Sequence, residues 1–157
     1  MANVPGLIVV SPYDAYDCKG LLKSSIRNDN PVCFLENELM YSKEFEIGED
    51  FDDENLVYEL GKAKVMREGK DVTIVAFSRM VGESLKAAQE LEKDGISAEV
   101  INLRTIKPLD RETIIKSVMK TNRLIAVEDG YPFCGVTSEI LSSVMESPAF
   151  DYLDAPA

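Results

Sequence analysis

Histidine is absent from all 157 residues. The side chain most often given proton transfer near neutral pH is therefore missing, and carboxylates or lysines replace it only in strongly shaped surroundings. Apolar runs are short: none reaches the ~18 residues that a membrane-spanning helix needs. Residues Met1 to Gly6 carry no basic region and no apolar secretory core, so no targeting signal is read there. There is no GxGxxG, no phosphate-binding loop and no cluster of metal ligands. The three cysteines, Cys18, Cys33 and Cys134, are scattered and form no CxxC pair, which suits a reducing compartment and not a disulfide framework. Cys18 and Cys33 lie among apolar residues and are expected to pack as small hydrophobes, whereas Cys134 reads as an exposed thiol.

Positive charge is also scarce, at 17 Lys and Arg against 28 Asp and Glu, giving a net charge of −11. Phosphate-bearing partners would be repelled, so neither nucleic acid nor an anionic membrane is expected as a ligand, and a basic protein partner is. What is present is a substantial apolar fraction of 45%, enough for a core.

The chain reads as alternating strands and helices. Leu7 to Val10 is a short buried strand. Ala15, Cys18, Leu21, Leu22 and Ile26 follow helical spacing from Asp14 onward. Asn28-Asp29-Asn30-Pro31 stops that helix through the left-handed tolerance of Asn and the restriction before Pro. Val32 to Leu35 completes a βαβ unit with parallel pairing. The connection Glu36 to Leu60 follows. Its stretch Lys43 to Glu54 holds seven carboxylates against one lysine, about half of the net charge of −11, and reads as a solvated linker.

Beyond it, Lys62 to Arg67 and Val72 to Phe77 flank Glu68-Gly69-Lys70-Asp71 and read as a hairpin. Val81, Leu85, Ala88 and Leu91 form the apolar face of a helix ending at Gly95. Ala98 to Leu103 is a strand, followed by a loop through Pro108. Asp110 is the expected N-cap of a helix bearing Ile114, Ile115, Val118 and Met119. Leu124 to Val127 is a strand, Val136 to Met145 a helix, and Phe150 to Leu153 the start of an extended segment. The opening βαβ unit buries too little surface to stand alone, and the chain stops as a strand begins, so both ends are expected to be cut from a larger subunit.

The runs PVCFLENELMY (31–41), INLRTIKPLD (101–110), SVMKTNRLIAVEDG (117–130) and ESPAFDYLDAPA (146–157) resemble the β-subunit family of pyruvate dehydrogenase (acetyl-transferring). The resemblance spans essentially the whole chain and is strongest to the mitochondrial type. It implies an α/β fold: a three-layer transketolase C-terminal-type domain, Rossmann-like with a mixed, mostly parallel sheet, preceded by the last βαβ unit of a thiamine-diphosphate pyrimidine-binding domain. The implied division is 1–38 for the end of the first domain, 39–60 for the acidic linker, and 61–157 for a truncated second domain.

In that family the intact enzyme decarboxylates pyruvate and acetylates lipoyl groups. Its thiamine diphosphate and Mg²⁺ are held mainly by the α subunit and by residues preceding Met1. The resemblance thus implies no catalytic or cofactor-binding residue here, and an inactive isolated segment. It implies a structural potassium ion held by the carbonyls of Ser25 and Ile26 and the side chains of Asn28 and Asn30, with Asn28 where the family commonly has Asp. It also implies a docking contact from Asp154 to the subunit-binding domain of dihydrolipoyl acetyltransferase. The implied partners are the α subunit and a second β subunit in an α2β2 assembly, and the implied compartment is the mitochondrial matrix, or the cytoplasm for a bacterial protein. A branched-chain 2-oxo acid dehydrogenase β subunit and a non-catalytic acidic interaction module are the alternatives.

Two further expectations concern individual residues. Glu128 and Asp129 are adjacent at a strand end, where their side chains diverge, and are expected to be structural. Arg104 is expected to bridge to an acidic residue in the other domain.

Overall fold

The computed structural model describes residues 1–131 and 133–157. Two sheets carry the architecture. Strands β1 (Ile8–Val10) and β2 (Val32–Phe34) pair in parallel around helix α1 (Ala15–Ile26), as the βαβ pattern requires. Strands β3 (Lys64–Arg67), β4 (Val72–Ala76), β5 (Ala98–Asn102) and β7 (Leu124–Val127) form the second sheet in the order β3-β5-β4-β7. In it, β4 pairs in parallel with β5 and β7, while β3 runs antiparallel to β5. Every residue of β4 and β5 is buried, as expected of strands covered on both faces, and the polar members Thr73, Glu99 and Asn102 each have hydrogen-bond partners.

Helix α2 (Arg79–Lys93) covers one face, and α3 (Arg111–Thr121) with α4 (Val136–Met145) covers the other. The period-two geometry of β4 and β5 separates the two layers. Val72, Ile74, Ala98 and Val100 pack with Ala88, Leu85 and Leu91 of α2. Val75 and Ile101 point oppositely and pack with Ile114, Val118, Ile140 and Val144. The chain leaves β4 toward β5 and later returns to its other side at β7, so β4 sits at the switch point of a doubly wound sheet.

Four expectations are corrected. The hairpin of residues 62–67 with 72–77 does not form: β5 lies between β3 and β4. The turn at Gly69 crosses the start of β5 so closely that a Cβ there would lie 2.1 Å from the Glu99 backbone nitrogen. Both edges of β4 are taken by parallel neighbours joined through helices, which leaves β3 only the outer side of β5. The loop through Pro108 contains a further strand, β6 (Thr105–Lys107), which pairs antiparallel with β1 and gives the order β2-β1-β6 in the first sheet. Val9 and Ile106 thereby join the same core as Val75 and Ile101. Residues Pro148–Tyr152 form a 3-10 helix, started by the Ser147 side chain, where an extended segment was expected. Cys18 is exposed, because it points away from the stripe headed by buried Leu21, while Cys33 does pack against the core.

The acidic connection keeps its carboxylates in solvent but does not float. Two short 3-10 helices, Glu38–Met40 and Glu49–Asp52, lie within it. Tyr16 Oη donates to Asp50 Oδ1 at 2.6 Å and accepts from Gly48 N at 2.9 Å. Phe51 meets Tyr16 edge to face at 5.2 Å, and Tyr58 N donates to Ser24 Oγ at 3.0 Å. Aromatic residues spaced along an acidic run thus strap it to α1.

One buried carboxylate fixes α3 to the sheet. Glu99, 2% exposed, faces the α3 layer and accepts from Gly69 N at 3.2 Å, from Ser117 Oγ and from Lys120 Nζ. Thr73 Oγ1 lies 2.6 Å from both Ser117 Oγ and Thr121 Oγ1, extending the chain of hydroxyls. Burial pushes the Glu99 carboxyl up, but the lysine, hydroxyl and N–H donors outweigh it and hold it below the ordinary range. Asp110, the N-cap of α3, is likewise held low: burial opposes ionisation, and the donors Ala63 N, Thr113 Oγ1 and Thr113 N overcome it.

A folded carboxyl below its unfolded value contributes stability in full above the unfolded value and loses it as pH falls through the folded one. The melting temperature should therefore stay level down to about pH 5 and decline below about pH 4. Asp14, raised by burial and by Asp17, works in the opposite sense and softens that decline. Thermal scans from pH 3 to pH 7 of the parent and of Glu99→Gln, Asp110→Asn check this. A double variant with an undiminished acid slope contradicts it.

Candidate functional site

The two sheets meet at a buried ion pair. Asp17 is fully buried on α1, and Arg104, just after β5, donates from Nε to Asp17 Oδ1 at 2.7 Å with its side chain 10% exposed. Asn102 Nδ2 donates to the other carboxylate oxygen at 2.6 Å, and Tyr13 N reaches it at 3.3 Å. Above the pair, the Arg104 guanidinium stacks 3.9 Å from the Tyr58 ring centroid. Arg104 holds a left-handed backbone, φ +58°, within a tight turn in which Thr105 N donates to Leu103 O. A non-glycine residue keeps such a conformation only when its surroundings over-determine it, and here the side chain is gripped by a carboxylate and a ring. The expected partner of Arg104 across the chain is thus Asp17. Sequence reasoning overlooked Asp17, although an acid four residues before Leu21 lies on that helix's buried stripe.

At the carboxyl edge of the second sheet, where sheets of this type place ligands, the charged side chains beside the ends of β4 and β7 pair with groups of the chain itself. Ser78, at the start of α2, has φ +51° and ψ −140°, a strained pair of angles for a residue with a Cβ. Next to it, Arg79 Nε meets Asp129 Oδ2 at 2.9 Å. Glu128 turns the other way and accepts from Val136 N at 2.9 Å and Thr137 Oγ1 at 2.8 Å, so it caps α4. A Cβ on Gly135 would sit 1.7 Å from Glu128 Oε1, so a larger residue there would displace the Glu128 carboxylate from its capping position. The adjacent carboxylates diverge, each has a structural partner, and no acid/base pair forms.

The remaining residues singled out from sequence lie on the surface, far apart in the fold. Helix α1 ends with Arg27 as its C-cap, and Asn28 Oδ1 then accepts from Asn30 N at 2.9 Å and Asn30 Nδ2 at 3.0 Å. This side-chain turn stops the helix without the expected left-handed Asn. The left-handed Asn is instead Asn122, at the end of α3. The Ser25 carbonyl accepts from Asn28 N at 3.3 Å, placing oxygens of Ser25, Asn28 and Asn30 around one helix end beside Ile26. Asp154 is half exposed, anchored by its N–H to Asn122 O at 2.9 Å and paired with Arg123 at 3.2 Å. Cys134 is exposed, as expected, with φ +58°. Among the described residues no three His, Cys, Asp or Glu side chains come together as a metal-ligand group.

Comparison with known proteins matches this architecture at both levels. The family described as Transketolase, C-terminal domain matches residues 61–157, and Transketolase, pyrimidine binding domain matches residues 1–43. Pyruvate dehydrogenase E1 component subunit beta-1, mitochondrial, of Arabidopsis thaliana is 59% identical over 99% of this chain and 42% of its own length. The corresponding mitochondrial beta subunit of Bos taurus is 57% identical over 99% of this chain and 43% of its own. The chain therefore spans under half the length of these curated relatives. Among solved structures, a chain described as "Split gene transketolase, inactive beta4 tetramer" superposes with a TM-score of 0.78 at 29% identity, over 94% of this chain and 47% of that one. A doubly wound mixed sheet fused through β6 to a parallel βαβ unit, and a family match over residues 61–157, lead to one conclusion: the chain belongs to the transketolase C-terminal domain family, behind a segment of the transketolase pyrimidine-binding domain.

Proposed function

We propose that this chain is part of the β subunit of a thiamine-diphosphate-dependent pyruvate dehydrogenase of the mitochondrial matrix. The complete enzyme would decarboxylate pyruvate oxidatively and acetylate lipoyl groups. The supporting observation is identity of 57–59% to mitochondrial pyruvate dehydrogenase beta subunits along 99% of this chain. None of these relatives is a branched-chain 2-oxo acid dehydrogenase or a free-standing module, so neither alternative is favoured. In this reading residues 1–38 close the pyrimidine-binding domain, 39–60 link, and 61–157 belong to the C-terminal domain. The α subunit would hold the cofactor's diphosphate and Mg²⁺, and a second β subunit would complete α2β2.

The segment's own contribution is assembly and not chemistry. The oxygens of Ser25, Ile26, Asn28 and Asn30 are all hard donors at the negative end of a helix, a set that suits potassium. Their fit is partial, since Asn28 Oδ1 already receives two donors from Asn30. Asp154 would meet a basic residue of dihydrolipoyl acetyltransferase after exchanging Arg123 for that partner.

The test is the full-length subunit co-expressed with its α partner. A heterotetramer that releases CO₂ from pyruvate faster than from 3-methyl-2-oxobutanoate supports the proposal, while the 157-residue chain alone stays inactive. Preference for the branched substrate, or no heteromer on size-exclusion chromatography, overturns it.

A further inference from the structure

We propose that the groove between the first turn of α1 and residues 36–45 receives an arginine side chain presented by a partner polypeptide. The groove encloses about 260 Å³ and is lined by Tyr13, Met40, Tyr41 and Phe45, with the carboxylates of Asp14 and Glu36. That volume is below the ~300–1,000 Å³ typical of small-molecule sites, and it suits one long side chain with a few waters.

The walls present what a guanidinium needs. Tyr13 and Phe45 meet edge to face at 5.5 Å, and Tyr41 Oη donates to Glu36 Oε2 at 2.8 Å, which holds that ring beside the carboxylate. Glu36 Oε1 accepts no hydrogen bond among the described residues, and Asp14 Oδ1 receives only Asp17 N. A planar cation can stack on a ring and donate to a carboxylate together, which an ammonium does less well.

The local field is negative. Cys18, exposed as a residue but with its thiol partly shielded in the groove, has that thiol pushed up to about 11 by this partial burial and then by Asp17, Glu36 and Asp14. The Asp14 carboxyl is raised by burial and by Asp17, which together outweigh the opposing pull of the Asp17 N–H, Lys64 and Arg104. Lys43 on the rim is the one cation of the lining and offsets part of that charge.

A protein and not a free small molecule is the expected source, because the surroundings are apolar and exposed. Leu39, Tyr41 and Ile47 are 66%, 71% and 56% exposed. Apolar residues around a pocket that takes an arginine are the makings of a protein interface.

The test titrates the isotopically labelled chain with acetyl-Leu-Arg-Leu-amide, the same peptide with citrulline for arginine, and acetyl-arginine-amide, followed by NMR. The arginine peptide should shift the Tyr13, Cys18 and Tyr41 signals saturably and lower the Asp14 carboxyl titration. Citrulline should bind about tenfold more weakly or worse. Glu36→Gln should weaken the arginine peptide by roughly three- to tenfold, and Lys43→Ala should tighten it by about two- to threefold. Equal affinity for the arginine and citrulline peptides, shifts mapping elsewhere, or no response to either substitution overturns the site. Acetyl-arginine-amide binding as tightly as the peptide overturns the polypeptide partner.

Discussion

Replacing Arg104 with methionine should lower the melting temperature of this chain by roughly 6–20 °C. The substitution keeps most of the side-chain volume but leaves Asp17, with none of its surface in contact with water, as a buried charge without its cation. Removing one partner of a buried pair costs about 3–5 kcal/mol, because the remaining ion keeps its desolvation penalty and loses its Coulomb partner. The stacking on Tyr58 goes with it.

The double variant Asp17→Asn, Arg104→Met separates these effects. Asparagine can still accept from Asn102 Nδ2 and Tyr13 N, so the double should melt above the Arg104→Met single. A double variant that melts at or below the single would mean that stacking and backbone strain, not the unpaired charge, set the loss.

This seam also marks how far the sequence could be read. The helices were legible because their apolar positions recur at helical spacing and their boundaries are chemical: Asp14 and Asp110 as caps, Gly95 in a left-handed conformation at a helix end. The parallel strands were legible as short apolar runs between them. Pairing was not. Strand β6 contains one polar and one charged residue among three, so nothing local distinguishes Thr105–Lys107 from a loop, and only contact with β1 makes it a strand. The acidic connection announced its solvent-facing carboxylates but hid its anchoring, since Phe51 reaches Tyr16, and Tyr58 reaches Ser24, only after the chain has folded back by more than thirty residues. Motif similarity pointed to the family, and it left the Asp17 partner of Arg104 unnamed. That pairing spans 87 residues and depends on the packing of both sheets.

Gly69 shows the same limit from the side of sterics and leads to the other large expected effect. Its dipeptide neighbourhood resembles a hairpin turn, yet its φ is not in the positive range that such turns ask of glycine. What glycine supplies there is absence of a side chain. A Cβ at position 69 would lie 2.1 Å from Glu99 N, 2.2 Å from Ala98 C and 2.7 Å from Ala98 O. All three are backbone atoms of a central strand hydrogen-bonded on both sides, so the intruding methyl cannot be relieved by a rotamer change.

Gly69→Ala must push the connection off β5, breaking the Gly69 N–H bond to Glu99 and straining the return of β3 to the outer edge. Overpacking typically costs about 1–3 kcal/mol, and a clash with backbone atoms puts this case at the upper end, about 3 kcal/mol, a drop of about 6–12 °C in the melting temperature. Gly130→Ala is the matched control: a Cβ there meets nothing within 4 Å and its φ is not positive, so the change should stay within about 0.5 kcal/mol. Because Glu99 also holds Lys120 and Ser117, the Gly69 variant should lose amide-exchange protection in α3 as well as in β3. Equal melting of the Gly69 and Gly130 variants would show that the connection does not cross β5 at this distance, and the strand order β3-β5-β4-β7 would lose its steric explanation.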